Sequence, residues 1–123
     1  MGKAEQKVKI LVVDDEHIVR LSCIKSLAPK GYEVDTVNDG YEALTRLKTN
    51  NYDIVITDLT MPDMDGIELV GRLRSLPGYE HVPIVMITGQ DDKKVRYAAL
   101  DAGITDFLTK PVDARECLAR CRN

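Results

Sequence analysis

Four short apolar runs of this 123-residue chain lead into polar residues that could do chemistry together. ILVV runs into Asp14-Asp15, IVIT into Asp58, IVMIT closes on Thr88-Gly89, and DFLT leads to Lys110-Pro111. A lone Asp after a strand is ordinarily a helix N-cap or a turn former. Three carboxylates brought side by side in a partly desolvated pocket are different, because they repel and call for positive charge. An all-oxygen donor set suits a hard cation such as Mg²⁺, which keeps several of its waters. A divalent ion together with Lys110 would set three positive charges against the three negative ones. A carboxylate in such a pocket can act as a nucleophile toward phosphorus and form an aspartyl phosphate. Metal and lysine would then offset charge on the transferring oxygens. Thr88 would supply a hydroxyl, and Gly89 would leave the space beside it free of side chain.

These residues lie far apart in the sequence, so a fold must bring them together. Continuous apolar runs at 8–13, 54–57 and 84–88, with weaker ones at 32–37 and 106–109, suit strands covered on both faces, as in parallel sheets. Helix-period segments lie between them. The expected inner faces are Ile18, Leu21, Ile24, Leu27 and Ala28 in 16–28, and Ala43, Leu44 and Leu47 in 39–49. For 65–76 they are Ile67, Leu69, Val70, Leu73 and Leu76. For 91–102 they are Val95, Ala98, Ala99 and Ala102, and for 113–122 Cys117, Leu118 and Cys121.

Punctuation agrees with this division. Asn38-Asp39-Gly40 starts a helix, Gly31 and Gly103 follow helices, and Pro83 opens a strand where a missing N–H costs least. Asp65 is an expected N-cap, with Glu68 three residues on as in a capping box. Gly66 permits a close backbone path. Five β-α units predict a parallel five-stranded sheet with helices on both faces and right-handed crossovers. In such sheets ligands bind beyond the C-terminal strand ends, where the acids and the lysine fall.

The bulk numbers narrow the class. One domain with one core fits the length, and 44% hydrophobic with 30% charged residues is ordinary for a globular chain. A net charge of −3 argues against a nucleic-acid or anionic-membrane surface. No run approaches the roughly 20 apolar residues of a membrane span, and MGKAEQKVK has no apolar signal core. Three cysteines (Cys23, Cys117 and Cys121) read as reduced thiols of a cytosolic protein. Cys117 and Cys121 share a helix face, yet a zinc site needs more ligands. His17 and His81 read as solvated surface.

ILVVDDE, DIVITDLTMPDMDG, PIVMITG and GITDFLTKP together resemble the receiver domains of two-component response regulators, over essentially the whole chain. The resemblance implies an α/β, flavodoxin-like sheet in 2-1-3-4-5 order. It implies Asp58 as phospho-acceptor, with Mg²⁺ (or Mn²⁺) held by Asp15 directly, by Asp14 through water, by Asp58 and by the backbone carbonyl of Thr60. Thr88 and Lys110 would contact the phosphoryl group, and the Lys110–Pro111 bond would be cis. Thr88 and Phe107 would form the switch, Phe107 lying where many receivers carry a Tyr. Thr60 and Gln90 occupy positions that tune water access, and neither adds a carboxylate.

The partner implied is a sensor histidine kinase or phosphotransfer protein in the cytoplasm, with a homodimer through the 91–122 face as a further expectation. Asp92, Lys93, Arg96, Tyr97 and Leu100 would form an outer contact surface there. The domain would catalyse its own phosphorylation and dephosphorylation without an independent turnover substrate. The end of the chain at Asn123 suggests a single receiver, cut within its last helix, from a longer protein; a stand-alone regulator with a short last helix is the alternative. A receiver-like interaction module acting without phosphorylation is the competing function. A metal-dependent phosphatase wants Asp-x-Asp after the first strand, whereas these acids are adjacent. A Rossmann domain wants a Gly-rich loop there.

Overall fold

β-Branched residues dominate the five extended segments, and their side chains suit a pleated surface buried on both faces. The structure, a computed structural model, describes residues 6–89 and 93–122. Strands β1 (Lys9–Val13), β2 (Glu33–Val37), β3 (Ile54–Asp58), β4 (Ile84–Thr88) and β5 (Asp106–Thr109) alternate with helices α1 (His17–Leu27), α2 (Gly40–Thr49), α3 (Gly66–Arg74), α4 (Lys93–Ala102) and α5 (Ala114–Arg122). All neighbouring strands pair in parallel, in the order β2-β1-β3-β4-β5. The fold class expected from the sequence is therefore the one observed. Gln90, Asp91 and Asp92 lie outside the described residues, and so does Asn123.

Register aligns the strand ends that matter. Val13 pairs with both Val37 and Thr57, Asp58 with Ile87, and Thr88 with Thr109. Every residue of β3 and β4 is buried. Each fully enclosed aliphatic side chain there stabilises the fold by roughly 1.5–3 kcal/mol. One core layer joins the sheet to α2, α3 and α4 through Leu47, Val55, Leu69, Leu73, Met86 and Ala99. The other joins it to α1 and α5 through Ile10, Cys23, Leu27, Ile56, Cys117 and Cys121. The three cysteines are free thiols.

Helix starts follow local chemistry. Asp39 accepts from the Glu42 N–H and Asp65 from the Glu68 N–H, both at 2.8 Å. The capping box at Asp65 is half made, because the Glu68 carboxylate bonds to Arg72 at 2.8 Å instead of reaching back. Gly31 and Gly103 take the left-handed conformation, at φ 94° and 104°, where their helices stop.

Three inner faces differ from expectation. In α1, Val19, Cys23 and Leu27 are buried, whereas Ile18 is 73% exposed and Leu21 37% exposed. The helix carries apolar residues on more than one side, and the stripe that meets α5 runs through Cys23, which packs as a small hydrophobe. Helix α1 also stops at Leu27, and Ala28 opens an exposed 3₁₀ turn. In α4, Ala99 is buried but Ala98 is exposed. Leu76 lies beyond α3 and is only partly buried.

Candidate functional site

Asp58 is the last residue of β3, and the buried strand carries it to the sheet edge with 2% exposure. Asp14 follows β1 and is fully buried, held there by its N–H bond to the Val37 carbonyl. Arg20, in the first turn of α1, reaches back to the Asp14 carbonyl at 2.7 Å. Thr88 closes β4 and is also buried. Lys110 follows β5, its N–H bonded to the Thr88 carbonyl, and its bond to Pro111 is cis. The four elements thus deliver side chains to one edge. A cleft of about 340 Å³ opens there, lined by Asp58, Leu59, Thr60, Thr88, Gly89 and Lys110.

The loop after β3 is built tightly. Leu59 donates to the Ile87 carbonyl, and the Gly66 N–H returns to the Leu59 carbonyl at 2.8 Å. A Cβ at Gly66 would lie 2.3 Å from the Asp58 carbonyl oxygen, so only glycine allows this approach. Asp63 sits at φ 70°, a conformation Asp tolerates better than most residues. Asp63 and Asp65 are both exposed, and neither belongs to the acid cluster at the sheet edge.

Electrostatics set the character of the site. Carboxylate oxygens of Asp14, Asp15, Glu16 and Asp58 lie within 4.8 Å of one another. The Lys110 Nζ lies 2.6 Å from Glu16 Oε1, 3.3 Å from Asp58 Oδ2 and 3.8 Å from Asp14 Oδ2. Among the described residues, the Lys110 ammonium is the cation set against these four carboxylates. Burial pushes the Asp14 carboxyl up to about 6, the Glu16 N–H and Lys110 pulling against burial while Asp58 and Asp15 add to it. Burial likewise raises Asp58, against the pull of Lys110 and the Thr60 N–H. Burial alone would lower Lys110, but the carboxylates of Glu16, Asp58 and Asp14 outweigh it and hold the ammonium above its ordinary range.

The donor set fits a hard divalent cation on one specific ground. Asp14 Oδ1 accepts from the Glu16 N–H at 2.8 Å, while Asp14 Oδ2 is buried without a hydrogen-bond partner. A buried carboxylate oxygen in that condition is costly unless a cation completes it. The structure therefore brings together Asp14, Asp15, Asp58, Thr88 and Lys110, with Thr60 on the rim through its N–H to Asp58. Phe107 is half-buried on β5 beneath the Arg96 guanidinium, 5.0 Å from its ring centre.

Sequence reasoning missed Glu16. The signal was present, since Glu16 directly follows Asp14-Asp15, but it read as a helix start. Arg20 was missed as well. A contact to a backbone carbonyl six residues back leaves no trace in spacing.

The chain matches the family model described as response regulator receiver domain over residues 10–122. It is 44% identical over 115 residues to the response regulator MprA of Mycobacterium sp. (strain KMS), covering 94% of this chain and 49% of that protein. It is 40% identical over 124 residues to the cyclic di-GMP phosphodiesterase response regulator RpfG of Xanthomonas campestris pv. campestris, covering 98% of this chain and 32% of that one. The chain thus spans half or less of the length of these curated relatives. Among solved structures it superposes on the chemotaxis protein CheY4 of Vibrio cholerae with a TM-score of 0.92 at 32% identity, covering 95% and 98% of the two chains. A putative response regulator from Chloroflexus aurantiacus gives 0.91 at 35% identity, with 96% and 97% covered.

Proposed function

The chain belongs to the response regulator receiver domain family, and from that premise we propose that Asp58 accepts a phosphoryl group and that the modified domain shows a different surface to its partners. The observation that carries this reading is the convergence of the Lys110 ammonium on Asp58 and Asp14 at the mouth of one cleft.

The donor is a phosphohistidine of a sensor histidine kinase or a phosphotransfer protein, in the cytoplasm. An Asp58 oxygen attacks phosphorus, the P–N bond breaks, and the departing imidazole leaves as the neutral, protonated ring. Buried β3 holds the nucleophile still, so little freedom is lost on reaching attack geometry. Lys110 leaves Glu16 for the incoming phosphoryl oxygens and offsets their charge, and the Thr88 hydroxyl donates to another. Asp14, Asp15, Asp58 and the Thr60 carbonyl would hold Mg²⁺, or Mn²⁺ in its place. When bound, the ion neutralises charge on the transferring oxygens. The domain catalyses only its own phosphorylation and hydrolysis.

The aspartyl phosphate is larger and more negative than the carboxylate it replaces. Thr88 is drawn toward it, and Phe107 turns into the space that Thr88 leaves. The face formed by α4, β5 and α5 then changes shape, which is a population shift between two packed states. Tyr97 and Leu100, exposed by 64% and 49%, lie on that face and suit a protein partner or a second copy of the chain.

Incubation with acetyl phosphate and Mg²⁺ tests the reading. A base-labile phosphate is expected, absent from Asp58→Ala. No incorporation from acetyl phosphate or from a range of histidine kinases would instead favour an interaction module that works without phosphate. For the switch, beryllofluoride is expected to shift NMR resonances across residues 88–110, and unmoved resonances there would refute the coupling.

A further inference from the structure

Register sets Phe107 beside Met86 and Thr109 beside Thr88 across the β4–β5 pair. Side chains alternate along a strand, so Phe107, Met86 and Thr88 share one face of the sheet. Helix α4 covers that face, its Ala99 packing in the same core layer as Met86. Thr88 is therefore the diagonal neighbour of Phe107, and the ring has a path toward it along the sheet.

In this structure the ring stands outward. It is only partly buried, and it lines a cleft of about 180 Å³ with Arg96, Asp106, Thr109, Glu116 and Arg120. This cleft is separate from the one at Asp58. Arg96, in the middle of α4, lays its guanidinium over the ring at 5.0 Å from the centre. A guanidinium within about 6 Å of an aromatic centre is attracted by the negative face of the ring. Phenylalanine has no polar tip, so no hydrogen bond can fix its rotamer. The contact with Arg96 exists in the outward position and is lost when the ring turns in.

We propose that Arg96 is a clasp on Phe107: its guanidinium holds the ring outward and so sets how strongly modification of Asp58 must pull to move the switch. This rests on the reading of Thr88 and Phe107 as a switch given above. Arg96 is a positioning residue, because it acts through the Phe107 ring. When Thr88 is drawn toward the phosphoryl group, the ring must leave the guanidinium before it can fill the space behind Thr88. The unmodified chain is thereby biased against its activated face, and the bias comes from charge as well as from packing.

Titration of the 123-residue chain with beryllofluoride in Mg²⁺, followed by NMR over residues 88–110 and the Phe107 ring, tests the clasp. Arg96→Met keeps a long apolar side chain over the ring and removes the charge. Its midpoint is expected about twofold to fivefold below that of the parent, the scale of an exposed cation–π contact. Arg96→Lys keeps a cation that stacks less well and is expected to fall between the two. In a Phe107→Leu background the Arg96→Met change is expected to leave the midpoint where it was, since no ring remains to hold. Loss of packing alone would loosen α4 and raise the midpoint, so the direction separates the two roles. A parent that responds while Arg96→Met shows an equal or higher midpoint would overturn the clasp and leave the switch standing. So would an undiminished effect of Arg96→Met without the ring. A parent whose resonances do not move would sink the switch and the clasp together.

Discussion

Lys110 lies nearer to Glu16 than to Asp58, with its Nζ at 2.6 Å from the first and 3.3 Å from the second. Glu16 is more than half exposed while Asp58 is buried, so the lysine bridges solvent and core. The acid that sequence reading passed over is the nearest partner of the site's Lys110.

Glu16→Gln removes that partner. With one negative charge fewer in the cluster, Mg²⁺ binding is expected to weaken by about threefold to tenfold, the scale of one partly exposed charge pair. The Lys110 ammonium is expected to titrate at lower pH, because Glu16 is the largest of the contributions holding it up. Calorimetric titration of Mg²⁺ and the pH dependence of Lys110 acylation check both effects. An unchanged metal affinity would remove Glu16 from the acid cluster's action.

Asp14 links stability to pH in the metal-free protein. Its carboxyl is raised in the fold to about 6 from 3.8. Between those values the folded state binds a proton that the unfolded state has lost. Stability from this group is therefore greatest below pH 4, falls as pH rises toward 6, and stays reduced above it. The size is on the order of 3 kcal/mol, taking about 1.4 kcal/mol per pH unit. Urea unfolding in chelator from pH 4 to 8 measures it, and Asp14→Asn is expected to flatten the slope. Mg²⁺ competes with that proton, so its affinity is expected to drop as pH falls below 6.

Gly66→Ala is expected to destabilise the fold by about 2–3 kcal/mol through overpacking. The new Cβ would meet the Asp58 carbonyl at 2.3 Å, and the Leu59–Gly66 hydrogen bond must lengthen to accommodate it. Because the clash is with the backbone of Asp58, the variant is also expected to lose phosphorylation out of proportion to its stability. Chemical denaturation paired with acetyl phosphate incorporation separates the two losses.

Phe107→Tyr adds a hydroxyl to a half-buried ring. In the inward rotamer that hydroxyl gains a hydrogen bond of about 1 kcal/mol, which shifts a two-state balance roughly fivefold. Beryllofluoride titration followed by NMR is expected to reach the activated spectrum at lower concentration in the variant. An equal or higher midpoint would show that Phe107 does not limit the switch.

The five parallel strands, the five helices and the convergence of Asp14, Asp58, Thr88 and Lys110 were legible because continuous apolar runs and strand-end polar residues are local signals, whereas the strand order came only with the family resemblance. The inner face of α1 was not legible. Ile18, Leu21 and Ile24 satisfy the helical period as well as Val19, Cys23 and Leu27 do, and only the position of α5 decides between them. Long-range polar contacts were silent for the same reason. Arg74 donates to the carbonyls of Tyr79, Val82 and Gly103, and Tyr52 donates to Asp35 at 2.6 Å, yet none of these residues is marked by its neighbours in the chain.

The site is also a reporter of sheet completion. Its acids come from residues 14–16 and 58, but the cation that offsets them is residue 110, placed by the β4–β5 pairing at the sheet's edge. During synthesis the acids would emerge well before their lysine, on a sheet still missing its last strand. Until β5 docks, four strands' worth of apolar surface would be gathered around uncompensated carboxylates, and the repulsion would oppose premature closure. On the proposed function, the contact between Asp58 and Lys110, 52 residues apart, would make competence for modification coincide with completion of the sheet.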